Sequence, residues 1–289
     1  MRLTVSIVLA GLLSASLAWS AAPPRPAPQP PPKPSAAPPP AACTALPKPR
    51  SGPLPFVGGE TLTYDVDVLG AKAGQMTFDV QPWARTASEI PVRVKAESNT
   101  FFNKMRKIKG EAVSYLRAKD LRPNRFHEDL EEGPLTRVAD ALFKDRKTEV
   151  NWKSNQQNNT QGANHFATSG EAFDYVGVIF LFRAIPMKVG QPFCFDAYAI
   201  KRMWRVEGKV EAREHVSVPA GEFDAFHLSG VATTNGMKPR DIHVWISDDP
   251  QRVPLAALGV LDLGPVRAQL TVLHRPDMKA SAGKEKVEW

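Results

Sequence analysis

Hydrophobic positions along most of this chain recur at every second residue. Leu62, Tyr64, Val66 and Val68 alternate with Thr61, Thr63, Asp65 and Asp67, the pattern of a strand with one buried and one wet face. Residues 70–74 read as a turn, and Met76, Phe78 and Val80 as the inward face of the returning strand. Ile90, Val92, Val94 and Ala96 predict a third strand. Further strands are expected over 108–116, 125–130, 138–143, 148–152, 193–199, 203–212, 255–258 and 266–273. The stretch 213–254 repeats the theme three times. Val216 and Val218 stop at Pro219-Ala220-Gly221, Phe226 and Leu228 restart the run, and Ile242, Val244 and Ile246 end at Ser247-Asp248-Asp249-Pro250. Such runs, punctuated by Pro, Gly and Asp, are antiparallel strands joined by turns.

One segment departs from this period. Phe173, Val176, Gly177, Phe180, Leu181 and Ala184 recur at helical spacing, and Pro186 ends the run. Thr168 with Glu171 three residues later reads as a capping box. Residues 154–164, rich in Asn, Gln and Gly without an apolar period, predict a mobile loop. About a dozen short strands with one helix, and no βαβ alternation, predict an all-β, mainly antiparallel fold. A sheet of that width must curl or close. The expectation is an open, strongly curved sheet or partial barrel with one helix packed in its concave side.

Three pieces carry a family resemblance. They are Glu214 to Phe226 (E-x-V-x-V-P-A-G-E-F-D-A-F) followed by W-I-S-D-D-P-Q-R-V-P, the opening G-E-T-L-T-Y-D-V from Gly59, and Phe173-Asp174-Tyr175 through Leu181-Phe182-Arg183 to Pro186-Met187-Lys188-Val189-Gly190. Over residues 57–273 the chain resembles the bacterial domain-of-unknown-function family 3108. The resemblance implies an exported, mainly β envelope protein with a strongly curved antiparallel sheet and no assigned activity.

Residues 1–20 are not domain material. Met1-Arg2 precedes an apolar run from Leu3 to Leu17, and Ala18-Trp19-Ser20 fits a cleavage site, which together read as a secretory signal peptide. No cysteine follows the site directly, which argues against a lipoprotein. Residues 21–55 hold 15 of the 27 prolines and read as an extended, disordered linker, spanning on the order of 100 Å at ~3.1 Å per residue. The β domain is then expected over 56–274, with a frayed tail over 275–289. Of the net charge of +7, Arg2 contributes one and Arg25, Lys33, Lys48 and Arg50 contribute four, leaving the domain near +2. That excludes the strong basic footprint of a nucleic-acid binder. The cationic linker is either a solvated spacer or a contact for anionic envelope polymer. The two cysteines, Cys43 and Cys194, fit export. They form either one disulfide or two free thiols.

Chemistry is sparse. His127, Asp129 and Glu131 share a strand face, with Glu128 turned away, and no spacing matches a metal motif. Asp241 and His243 adjoin Trp245 on the face opposite Ile242 and Val244, a wet-side surface suited to cross-strand pairing. Ser217 and Ser229 lack a nucleophile elbow. Lys104, Arg106, Lys107 and Lys109 lie beside Phe101 and Phe102, with Arg117, Arg122 and Arg125 later. Aromatics beside cations hold anionic headgroups or nucleic acid; a solvated strand face is the plainer reading. Asp174 and Arg183 read as ion pairs from the helix to the sheet.

The functional expectation is a non-enzymatic module with no cofactor, binding an apolar ligand such as a lipid or lipoprotein acyl chain in a trough between sheet and helix. Phe173, Val176, Phe180 and Leu181 are the expected lining. In general architecture alone this is similar to periplasmic lipoprotein carriers. The alternatives are a structural or interaction protein of the envelope, and an envelope glycan hydrolase using Asp129 or Glu131. The last lacks an acid/base pair at the required spacing.

Overall fold

In the computed structural model, which describes Cys43 and residues 45–156, 159–168, 170–199, 201–261 and 264–277, the alternating stretches are strands. In chain order they are β1 (Thr61–Val68), β2 (Ala71–Val80), β3 (Glu89–Ser98), β4 (Ile108–Arg117), β5 (Pro123–Glu132), β6 (Leu135–Lys144), β7 (Lys147–Ser154), β8 (Thr160–Ala167), β9 (Ala172–Asp174), β10 (Pro192–Ala199), β11 (Arg202–Val218), β12 (Gly221–Thr233), β13 (Arg240–Ser247), β14 (Pro254–Leu261) and β15 (Gly264–His274). The one-turn helix α1 (Asn103–Arg106) lies between β3 and β4, and α2 (Tyr175–Ala184) between β9 and β10.

All fifteen strands form one sheet, ordered β8-β7-β6-β5-β4-β3-β2-β1-β15-β14-β13-β12-β11-β10-β9. Neighbours are antiparallel except β9 with β10. The first and last strands meet at the centre, Thr61 opposite His274 and Val68 opposite Val266. Two arms of successive hairpins therefore spread from a seam that only long-range pairing closes.

The arms curl toward each other because the inner face is apolar and needs cover. Register shifts between Thr63 and Tyr64, Val66 and Asp67, and Val210 and Ala212 add local bend and twist. The far ends meet through side chains. Tyr198 on β10 lies 6.2 Å from the rings of Phe126 on β5 and Phe166 on β8. Arg137 on β6 donates to the Tyr198 hydroxyl at 2.9 Å and to the buried Glu128 carboxylate at 2.8 Å. Burial holds the Glu128 carboxyl above its ordinary range despite that cation. In hydrogen-bonding terms β8 and β9 remain edges, so the expected curved open sheet is present, and α2 packs inside it against β3, β4, β9 and β10.

Several boundaries differ from those the pattern predicts. Residues 160–164, expected as loop, belong to β8, which pairs with β7 from Lys147–Ala167 to Ser154–Thr160. Polar side chains do not prevent a strand at a sheet edge, and Gly162 leaves room for the Trp152 ring, which stands 2.9 Å from where a Cβ would be. The turn expected over 70–74 is confined to Leu69 and Gly70, the latter at φ +81°, so β2 begins at Ala71.

The domain begins before residue 56. Leu46 is buried, its N–H donates to Glu171 (3.3 Å) and its carbonyl accepts from Arg122 Nη2 (3.0 Å). The Arg50 N–H donates to Ala184 O at 2.9 Å. A proline-rich chain lies down on a domain when arginines and main-chain donors take up its carbonyls. Cys43 is disulfide-bonded to Cys194 on β10, 151 residues away, with Cα atoms 5.2 Å apart. Arg275, expected to be frayed, is buried and pairs with Glu60 at 3.0 Å. The signal segment, the linker up to residue 42 and residues 278–289 lie outside the described residues.

Candidate functional site

The site is built around α2. Its N-cap is Asp174, not Thr168: Asp174 Oδ1 accepts from the N–H groups of Val176 (2.9 Å) and Gly177 (2.7 Å), and Oδ2 accepts from Ser114 Oγ on β4 (2.7 Å). Asp174 is therefore a cap bonded to the sheet and makes no ion pair among the described residues. Glu171, expected as the capping-box partner, binds Arg122 instead at 2.6 Å. Gly177 permits this close approach, because a Cβ there would stand 3.1 Å from Ser114 Oγ and 3.2 Å from the Leu116 side chain.

Burial raises the Asp174 carboxyl from 3.8 to about 6, against the three hydrogen bonds that favour its anion. A folded pKa above the unfolded value means the folded state holds the proton more tightly. The contribution is full below about pH 4 and is lost as pH rises through about 6. Asp174 should therefore lower stability by about 2 kcal/mol between pH 4 and 7. Asp174→Asn keeps a capping oxygen and should flatten urea-unfolding stability across that window. A variant profile parallel to the wild type would contradict the assignment.

The helix divides the interior. Phe173, Val176, Phe180 and Leu181 are fully buried, and the Phe180 ring meets Phe56 at 5.0 Å and Phe78 at 6.1 Å. None of these four is in the lining of the apolar cavity beside the helix. The cavity lies on the other side of the helix, where Tyr175, Val178, Ile179 and Phe182 face β10 to β15 across a volume of about 380 Å³. It exists because the strands opposite carry small inward residues: Ala197, Ala199, Gly230, Ala232, Ala257 and Gly259. Interiors are otherwise close-packed. Phe193 roofs the cross-strand pair Gly208–Gly230, where a Cβ on Gly208 would come within 2.6 Å of its ring. Arg240 is the one ionisable cation in the lining, its guanidinium 4.7 Å from the Trp204 ring.

The other candidate residues lie outside it. His127 pairs with Asp140 at 2.8 Å on the outer face. Asp129 is exposed. Glu131 is held below the usual carboxylate range by Lys107, 2.6 Å away, which keeps it an anion and unsuited to act as an acid. His243 and Trp245 join His227 on β12, which was not singled out in the sequence. His227 stacks on Trp245 at 4.6 Å, its Nε2 is 3.0 Å from His243 Nδ1, and Trp245 Nε1 donates to Glu214. Partial burial lowers the His227 pKa. Asp241 is exposed, and Ser229 donates to Glu211 at 2.9 Å. Among the described residues no group of three His, Cys, Asp or Glu is placed to hold a metal. No described helix is long and apolar enough to cross a membrane.

The family model for proteins of unknown function DUF3108 matches residues 63–271. The chain belongs to the DUF3108 family. The match spans the seam, the helix and the cavity walls of this DUF3108 protein together. No curated protein matches its sequence. Among solved structures it is similar to a β-barrel-like protein of family DUF1849 from Brucella abortus, at 10% identity and TM-score 0.54, covering 77% of this chain and 100% of that one. A protein with a YmcC-like fold from Bacteroides fragilis aligns at 8% identity and TM-score 0.34, covering 80% of this chain and 100% of that one. The first of these likenesses supports the fold, a barrel-like curled sheet, and nothing finer.

Proposed function

We propose that this DUF3108 protein is an exported, non-enzymatic binding module that holds an apolar ligand, a lipid or lipoprotein acyl chain, in the cavity between α2 and β10 to β15. The observation that carries the reading is the cavity itself. Its volume of about 380 Å³ falls within the roughly 300–1,000 Å³ of small-molecule sites, and its walls are almost wholly apolar. The Cys43–Cys194 disulfide fits the oxidising compartment that the N-terminal leader pattern implies. The helix residues proposed to touch the ligand are Tyr175, Val178, Ile179 and Phe182. Phe173, Val176, Phe180 and Leu181 instead hold the helix against the opposite wall.

Val244 on β13 points into the cavity from the strand side. Val244→Trp should fill the space and weaken binding of a fluorescent fatty acid by about tenfold or more, equivalent to at least ~1.4 kcal/mol. Equal binding by Val244→Trp and the wild type, or none by the wild type, would remove the proposal.

A further inference from the structure

One end of the cavity lies at a rim of the sheet that carries exposed apolar side chains. Antiparallel pairing places the β1–β2, β3–β4, β5–β6, β10–β11, β12–β13 and β14–β15 connections at one end of the curled sheet. Tyr175, Ala199, Ala232, Arg240 and Val260, all cavity lining, lie at that end. Exposed large hydrophobics gather there too: Leu69 (70% exposed), Phe101 (64%), Met105 (66%), Val260 (43%) and Leu135 (36%). Toward the opposite end the exposed large hydrophobics among the described residues are Val189 (48%) in a connection, and Leu142 (42%) and Val272 (54%) on strands.

The Phe101 loop is built to stay out. Its neighbour Phe102 is buried. Asn99 ties the loop to β2 through Lys72 O (2.7 Å) and accepts from the Phe102 N–H (2.8 Å). Ser98 Oγ binds Asn103 at 2.5 Å and accepts from the Ile108 N–H at 2.7 Å. Lys107 and Arg106 clamp the loop to Glu131 and Glu132. A loop braced this firmly holds Phe101 and Met105 in water, where their burial elsewhere would be favourable.

The rim is also cationic. Lys104, Lys201, Arg202 and Lys238 are exposed at it and make no ion pair among the described residues. Of the carboxylates at that end, Asp65, Asp67, Glu131 and Glu132 are paired with Lys72, Arg267, Lys107 and Arg106, and the exposed Glu97 and Asp241, which make no ion pair among the described residues, offset only part of the four cations.

We infer that this rim docks on a lipid bilayer bearing anionic headgroups, so that the cavity mouth opens onto the membrane from which its ligand is taken or to which it is given. Apolar side chains enter the interface while lysines and arginines meet phosphates. The inference rests on the lipid reading of the cavity and extends it to a partner surface.

The test is flotation of the full chain with phosphatidylcholine vesicles, with and without phosphatidylglycerol. The wild type should float far more with the anionic vesicles. Phe101→Asp with Met105→Asp should weaken that binding about tenfold or more, and Lys104→Glu with Lys238→Glu about fivefold per lysine. Val189→Asp, at the opposite rim, should float like the wild type. Variants share every other segment of the chain, so a contribution from the cationic linker or the leader cancels. Wild-type-like flotation of both rim variants, or equal flotation with neutral vesicles, would overturn the inference. Fluorescent fatty-acid binding without vesicles reads the cavity separately. If it persists in rim variants that no longer float, both readings stand; if the wild type lacks it, the cavity reading fails whatever the flotation shows.

Discussion

Replacing Arg183 by Met is expected to lower the unfolding free energy by about 3–5 kcal/mol, the usual consequence of breaking a buried ion pair from one side. Arg183 and Glu60 are both fully buried, with Nη1 2.6 Å from Oε1. Arg183 Nη2 also donates to Pro55 O and Gln251 O at 3.1 Å each. Its guanidinium lies 5.3 and 5.1 Å from the Phe56 and Phe180 rings. Arg275 adds a second cation, 3.0 Å from Glu60 Oε2, and donates to Pro55 O at 2.8 Å. One guanidinium thus joins the end of α2, the N-terminal segment, the residue before β1 and the β13–β14 connection. Methionine fills much of the volume, so the loss measured is polar: the Gln251 carbonyl and one carboxylate arm of Glu60 lose their donor, while Pro55 O keeps Arg275. Urea unfolding at neutral pH reads the change, and a loss below about 1 kcal/mol would mean that Arg275 alone satisfies Glu60.

Reducing the Cys43–Cys194 bridge, or replacing Cys194 by Ser, should lower stability by about 4 kcal/mol. The linked residues are 151 apart, and closing a loop that long removes much unfolded-chain entropy. The bridge fixes the N-terminal segment beside β10, close to where Leu46 and Arg122 dock. Urea midpoints with and without reductant check it. An unchanged midpoint would mean that the contacts of residues 45–56 hold without the covalent tie.

Strand positions were legible because one face of the sheet is buried. Leu62 and Tyr64 sit inside while Thr61 and Thr63 sit further out, and such alternation is a local signal. The order of strands was not legible, since β1 meets β15 through contacts that no short window contains. Arg183 was expected to pair with the sheet; its partner is Glu60, the residue just before β1. The helix face was the main misplacement. Tyr175 to Ala184 reads YVGVIFLFRA and has no polar side to mark which stripe meets the core. The cavity left a signal of another kind: inward positions of β10, β12 and β14 carry Ala and Gly where neighbouring strands carry Val, Leu or Phe. The docking of residues 45–56 was hidden because proline-rich composition looks alike whether solvated or held by arginines.

The cavity's occupancy is the central claim, and native mass spectrometry of the protein isolated from cells tests it most directly. The account predicts a bound mass of lipid size on the wild type, lost in Val244→Trp, with both polypeptides retaining the Cys43–Cys194 bridge. A bare wild-type chain that also takes up no added fatty acid would contradict it.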